Sequence, residues 1–240
     1  MPKIKFYQYS ENTSAYAEMP QPASKFVPDW YRKQRGTIND AETLPKGYST
    51  ATVKKCMPVF DLMTAGYMLT MPCDVYLDST DPEKLSWSVP APLKQFQADM
   101  FSFHDKQQYD EYPIDKDTKH QTLFRVMPFW YVQTDPGYSA IFINPIHRDT
   151  YPLTAIPAFV DSDNFITEGH LSFIVDKGFK GVIKRGTPIA QIIPIKRESW
   201  ESEVVSVDDS KSELNKQRLR LRSMFANAYK VLFRSKKDYD

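Results

Sequence analysis

Glycine is scarce in this sequence. Eight glycines stand against eighteen prolines in 240 residues, so few positions take left-handed backbone freely and many cannot donate to a sheet ladder. The prolines are expected at strand ends, sheet edges and rigid loops. Cysteine is scarcer still. Cys56 and Cys73 have neither zinc-site spacing nor enough partners for a disulfide framework, and they read as reduced thiols in or near a core. No run approaches the roughly 20 apolar residues of a membrane span, and the opening Met1-Pro2-Lys3-Ile4-Lys5-Phe6 lacks a signal peptide's apolar stretch. A cytoplasmic setting without a membrane partner is the expectation. An excess of either charge is lacking too: 31 basic and 30 acidic residues leave a net charge of +1. No global field draws the chain to nucleic acid, which is not an expected partner.

What is there suffices for a sizeable core: 41% of residues are hydrophobic and 14% aromatic. The length suits one large β domain or two small ones, and the former is preferred. Alternation predicts a short strand within Lys3–Tyr9, and Val27-Pro28-Asp29-Trp30-Tyr31 starts a short helix. Pro58 and Gly66 sit where helices favour them, near the start and just past the end of an apolar segment over 56–66. Strands are expected over 67–77, broken near Pro72, and over 84–89; 95–119 reads as loop with a short helix. The most coherent series is 123–127, 129–132, 139–144, 154–160, 171–175, 182–183 and 188–195. Its turns include Asp135-Pro136-Gly137-Tyr138, where Pro fixes one φ and Gly permits a positive one. The fold class is therefore mainly β, an antiparallel barrel or sandwich. It is expected as a single domain over 1–209 with its core at 123–200.

Over 210–235 a long C-terminal amphipathic helix is predicted, packed on the domain or on a partner. Ser210-Lys211-Ser212-Glu213 has the form of a capping box, and Leu214, Leu221, Phe225, Ala228 and Leu232 recur at helical spacing. Arg218, Arg220 and Arg222 alternate, so a helix spreads them around its circumference rather than in one phosphate-binding row.

Two constellations could carry chemistry. His147-Arg148-Asp149 with His170 has the residue types of the facial triad that holds non-haem iron, with Arg185 to grip a 2-oxo acid. The 23 residues between the histidines are few for that fold, and a loop histidine beside Glu168-Gly169 is the simpler reading. No phosphate loop, dinucleotide fingerprint, His-Glu-x-x-His or Gly-x-Ser-x-Gly elbow occurs. The carboxylates Asp74, Asp78, Asp81, Glu83, Asp110, Glu111, Asp115 and Asp117 have the spacing of solvated loops.

The second is Gly186-Thr187-Pro188-Ile189-Ala190-Gln191-Ile192-Ile193 with Phe159-Val160-Asp161-Ser162-Asp163-Asn164-Phe165 upstream. Together with Pro136-Gly137-Tyr138 through Arg148, and Ala65-Gly66-Tyr67, it resembles the dUTPase and dCTP deaminase superfamily. The resemblance covers about a third of the chain and implies a dUTPase-like or β-clip topology. It further implies that Asp161 stands where an aspartate orients the attacking water, Arg148 where phosphate is bound, and magnesium as the cofactor. The departures are specific. Pro145-Ile146-His147-Arg148 lacks the family's serine, Asn164 replaces its tyrosine, Thr187-Pro188 replaces its Asp-Arg, and no glycine follows Gly186.

A second resemblance spans more of the chain. Val27-Pro28-Asp29-Trp30-Tyr31, Thr134-Asp135-Pro136-Gly137-Tyr138-Ser139 and Ile193-Pro194-Ile195-Lys196-Arg197-Glu198-Ser199-Trp200 are similar to a family of uncharacterised proteins encoded largely by tailed bacteriophages. It implies a phage-type protein in a host cytoplasm and brings no catalytic residues. The expected function is thus a non-catalytic binding or assembly module without a cofactor, joined to a second copy of itself or to a phage or host protein. Its ligand-binding residues would be Tyr138, Arg148, Asp161, Asp163 and Gln191. The alternatives are a divergent nucleotide hydrolase or deaminase with Asp161 catalytic, and a 2-oxo acid-dependent iron oxygenase with His147, Asp149 and His170 as ligands.

Overall fold

The structure is a computed structural model of the chain. The residues described are 1–9, 17–38, 50–96, 100–127, 129–166, 171–223 and 228–239. They divide into two compact units: Met1–Phe26 with Gly66–Arg197, and Val27–Ala65 with Glu198–Asp240.

The first unit is mainly β, and every ladder in it is antiparallel. Its strands are β1 (Ile4–Gln8), β2 (Gln21–Pro22), β3 (Tyr67–Thr70), β4 (Val75–Asp78), β5 (Ser86–Ser88), β6 (Phe101–His104), β7 (Leu123–Val126), β8 (Trp130–Thr134), β9 (Tyr138–Ile143), β10 (Leu153–Ala155), β11 (Ala158–Val160), β12 (Leu171–Val175), β13 (Lys180–Ile183) and β14 (Pro188–Lys196). They form four sheets, ordered β1-β8, β10-β12-β7-β6, β11-β9-β14-β3-β2 and β13-β4-β5. Among the described residues no sheet closes on itself, which corrects the barrel expectation.

Alternation decides which side chains face inward. In β12, Leu171, Phe173 and Val175 are buried while Ser172 and Ile174 are half-buried. Phe101 and Phe124 stack with ring centroids 5.3 Å apart, and Trp87 meets Phe101 at 5.1 Å. Met71, Leu77, Trp130, Val132, Phe142 and Ile192 join the same cluster. The residues Leu69 to Leu77 thus extend the core upstream of residue 123. Cys73 is in it as well, and burial pushes its thiol up to about 11, which keeps it protonated and unreactive. Cys56 is exposed.

β14 is central in its sheet, pairing with β3 on one side and β9 on the other. Beside it Gly66 has φ +66°, and a Cβ there would lie 1.9 Å from the Ile192 carbonyl oxygen. Glycine is required twice over, by backbone conformation and by space. The strand expected over 154–160 is two strands in different sheets, parted at Ile156-Pro157. β6 lies in the stretch expected to be loop.

The second unit holds the helices α1 (Asp29–Lys33), α2 (Met57–Met63) and α3 (Val207–Ser223). Pro58 stands in the first turn of α2. Tyr31 of α1 stacks on Phe60 of α2 at 5.6 Å, and the Lys54 ammonium sits 4.5 Å over the Tyr31 ring. Arg234 donates to the Asp61 carboxylate at 2.6 and 3.0 Å, and Lys237 adds a 3.3 Å bond. The Arg234 hydrogen bond, before all else, holds the Asp61 carboxyl below its ordinary range.

The predicted long helix is not found as one element. α3 starts three residues before the expected Ser210 cap and spans 17 residues. Tyr229–Phe233 forms a π-helical turn, and residues 224–227 lie outside the described residues. The predicted Phe225 lies outside the described residues. The side chains of 212–221 are all exposed, so Leu214 and Leu221 are not packed on the chain's own core.

Candidate functional site

The turn at 135–138 forms as its residues dictate, with Gly137 at φ +84° and the Tyr138 N–H donating to the Asp135 carbonyl at 3.2 Å. It hands the chain from β8 to β9. A second turn follows β11, where the Asn164 and Phe165 N–H groups both donate to the Asp161 carbonyl, at 3.1 and 3.0 Å. β11 pairs with β9 so that Val160 faces Ala140, which brings the two turns together.

Arg197, just beyond β14, enters between them. Its guanidinium grips both oxygens of Asp163, with Nη1 2.7 Å from Oδ1 and Nη2 on Oδ2. Nη1 also lies 2.9 Å from the Ser139 hydroxyl oxygen, 3.2 Å from the Tyr138 carbonyl and 3.4 Å from Asp161 Oδ1. Ser139 in turn donates to Asp161 Oδ1 at 2.7 Å, and the Gly137 N–H donates to Asp163 Oδ2 at 2.8 Å. Beneath them Thr134 and Ser162 are joined by a 2.8 Å hydroxyl pair, and both residues are buried.

The two aspartates play different parts. The Asp163 side chain is 5% exposed, and the Arg197 hydrogen bond is the foremost cause that holds its carboxyl well below the usual carboxylate range. The Asp161 side chain is 56% exposed and presents its carboxylate to solvent. Around it Phe159 is 56%, Phe165 62% and Ile166 49% exposed. An acidic group set among open apolar side chains suits contact with a partner's surface. The guanidinium beside it opposes a cation, so the cluster does not fit magnesium.

Arg148 and Gln191 sit elsewhere. Gln191 faces Ile143 in the β14–β9 ladder, whereas Lys196 faces Tyr138. The two ends are five residues apart, about 17 Å at strand rise. Gln191 is fully buried, and its Oε1 accepts the Ile146 N–H at 3.0 Å. Arg148 donates to three backbone carbonyls, those of Phe26 at 2.9 Å, Ile146 at 2.9 Å and Ala23 at 3.2 Å. Burial lowers its pKa to about 10, which still leaves it charged at neutral pH. Within one chain the five expected binding residues therefore make two groups: Tyr138, Asp161 and Asp163 at one end, Arg148 and Gln191 at the other.

His147 is exposed, at φ +56°. Asp149 is exposed as well, and its Oδ1 accepts the Tyr151 N–H at 3.0 Å. His170 lies outside the described residues. Among the described residues no three His, Cys, Asp or Glu side chains gather as a metal site would require. Arg185 gives its backbone N–H to Asp74 at 2.9 Å. No described helix is long and apolar enough to cross a membrane.

Sequence reasoning missed Arg197 as a site residue. Its position directly after the longest apolar strand is the one available signal; its partners lie 34 and 36 residues upstream. It also missed a depression of about 520 Å³ in the second unit, lined by Trp30, Lys33, Gln34, Arg35, Ile38 and Thr52, among others.

No family model matches the sequence, and no curated protein matches it. Solved structures that resemble the chain include two phage dUTPases. A mutant dUTPase of Staphylococcus bacteriophage 80alpha with dUpNHpp is 11% identical, with a TM-score of 0.33 over 85% of this chain and 88% of that one. A mutant dUTPase from phage phi11 of S. aureus, whose structure concerns the coordination of a structural Mg(II) ion, is 12% identical. Its TM-score is 0.34 over 85% of this chain and 97% of that one.

Proposed function

We propose that the chain is a non-catalytic binding and assembly module of a phage-type protein, built on a β scaffold related to that of dUTPases. One observation carries this reading: the charged groups that phosphate chemistry would use are committed to the fold itself. Arg148 spends its guanidinium on the carbonyls of Phe26, Ile146 and Ala23. Three of its five N–H donors are thereby turned onto backbone carbonyls and away from any phosphate oxygen. Asp163 is likewise closed by Arg197.

The test is direct. The full chain, incubated with each deoxynucleoside triphosphate and magnesium, is expected to release neither pyrophosphate nor ammonia above the buffer rate. Light scattering across a concentration series is expected to show self-association, or else a phage or host protein co-purifies at stoichiometric amount. Magnesium-dependent turnover would overturn the reading.

A second reading rests on Asp161. Its carboxylate is open to solvent and oriented by Ser139 at 2.7 Å, as a general base must be. Under this reading the chain is a divergent nucleotide hydrolase, and Asp161→Asn abolishes a turnover that Asp149→Asn leaves intact.

A further inference from the structure

The second unit carries both a basic depression and an exposed acidic segment with an aromatic side chain. The depression holds about 520 Å³, within the range of roughly 300–1,000 Å³ that concave ligand sites span. Trp30 and Lys33 of α1 line it, three residues apart and so on one side of the helix. Trp30 is 43% exposed there. Backbone pairing holds the stretches that bring Ile38 and Thr52 to the same depression. The Ile38 N–H donates to the Thr50 carbonyl at 2.8 Å, and the Thr52 N–H to the Gly36 carbonyl at 3.1 Å.

The charge of the depression has one sign. Lys33 and Arg35 line it, and no acid is among the described residues that do. Lys33 meets Asp29 at 3.9 Å, but the two side chains are 81% and 79% exposed, and an ion pair so open contributes little.

Residues 198–206 run from Arg197 to α3 without helix or strand, and every one of them is exposed. They include Glu201 and Glu203 and no basic residue. Trp200 is 86% exposed, so it does not fill the depression of its own chain. An exposed indole has much apolar area to bury on association, and tryptophan entering a pocket is a frequent anchor of protein interfaces.

The two features match in shape and in charge. An aromatic wall beside two cations suits an indole followed by two carboxylates. Two copies can exchange them, the segment of each entering the depression of the other. Each contact then occurs twice, as a closed two-fold interface requires.

We propose that Trp200 of each protomer seats in the depression beside Trp30 of a second copy, with Glu201 and Glu203 set against Lys33 and Arg35. This deepens the assembly reading above and rests on it.

Sedimentation velocity on the full chain tests it. Trp200→Ala is expected to raise the dimer dissociation constant about tenfold or more. Its melting temperature as a monomer should not change, because the side chain is 86% exposed. Two charge-reversed variants, Lys33→Glu with Arg35→Glu and Glu201→Lys with Glu203→Lys, are each expected to stay monomeric where the parent chain is dimeric. Mixed in equal amounts they are expected to dimerise again, since each brings the charges that the other lacks. A chain that self-associates as tightly with Trp200→Ala as without it would overturn the proposal and leave the assembly reading standing. So would a mixture of the two reversed variants that stays monomeric, or a monomeric chain that co-purifies with a phage or host protein. A chain that stays monomeric and co-purifies with no partner would sink both.

Discussion

The two ends of the β9–β14 ladder use the same chemical groups to opposite effect. At one end Arg148 and Gln191 face inward, and every contact described for them is to backbone. At the other, Arg197 bridges Asp163 and Asp161, leaving one carboxylate sealed and the other open. An arginine that satisfies carbonyls fixes loops in place and offers little to a visitor. An arginine that balances two acids unequally leaves a surface group ready to be met.

Breaking the closed end should have the larger effect. Arg148→Met keeps the bulk but strands three carbonyls, each worth about 1 kcal/mol or more when buried without a partner. A loss of about 3 kcal/mol or more in urea unfolding is expected, and full stability in this variant would mean the loop closes without the guanidinium. Gln191→Leu removes the acceptor of the Ile146 N–H and should cost about 1–3 kcal/mol, read as a lower urea midpoint with an unchanged slope.

At the open end the effect is expected in the pH profile. Asp163 binds its proton less readily folded than unfolded. Its share of the stability is therefore present above the unfolded value, near 4, and is lost as pH falls through that value toward the depressed one. Arg197→Met should flatten the rise of stability between about pH 2 and 5, measured by thermal melts across that window. An unaltered profile would show that the pair contributes nothing to acid sensitivity. The smallest change is expected for Ser139→Ala, about 0.5–1.5 kcal/mol. Its use is comparative: it frees the Asp161 carboxylate from its donor and should weaken any partner that the acid recognises, with little change in melting temperature.

Much of the fold was legible from residue pattern. The strand expected over 171–175 matches β12, and β14 ends one residue beyond its expected limit. Both are apolar segments bounded by turns, where local preference and burial agree. The turn at Gly137 was legible because glycine and proline act on their own backbone. Less was legible wherever partners are distant in sequence. Nothing in Thr154–Val160 says that its halves belong to different sheets, since β10 pairs with β12 and β11 with β9. Asp161 and Asp163 look alike in sequence. What distinguishes them is Arg197, whose approach depends on β14 lying beside β9. In the helical stripe at the C-terminus, spacing indicates which residues share a face but not what covers it: Ala228 is buried while Leu214 and Leu221 are exposed.

The Ala23 N–H donates to the Gly66 carbonyl at 2.9 Å, and Pro22 pairs with Tyr67. These contacts clamp together the points where residues 27–65 leave the first unit and return to it. The excursion is therefore an insertion whose two ends are fixed by the host sheet. Loop closure is only weakly sensitive to length, each doubling costing about 0.6 kcal/mol. The register of β2 and β3 is thus set by their own ladder rather than by the length of what lies between them.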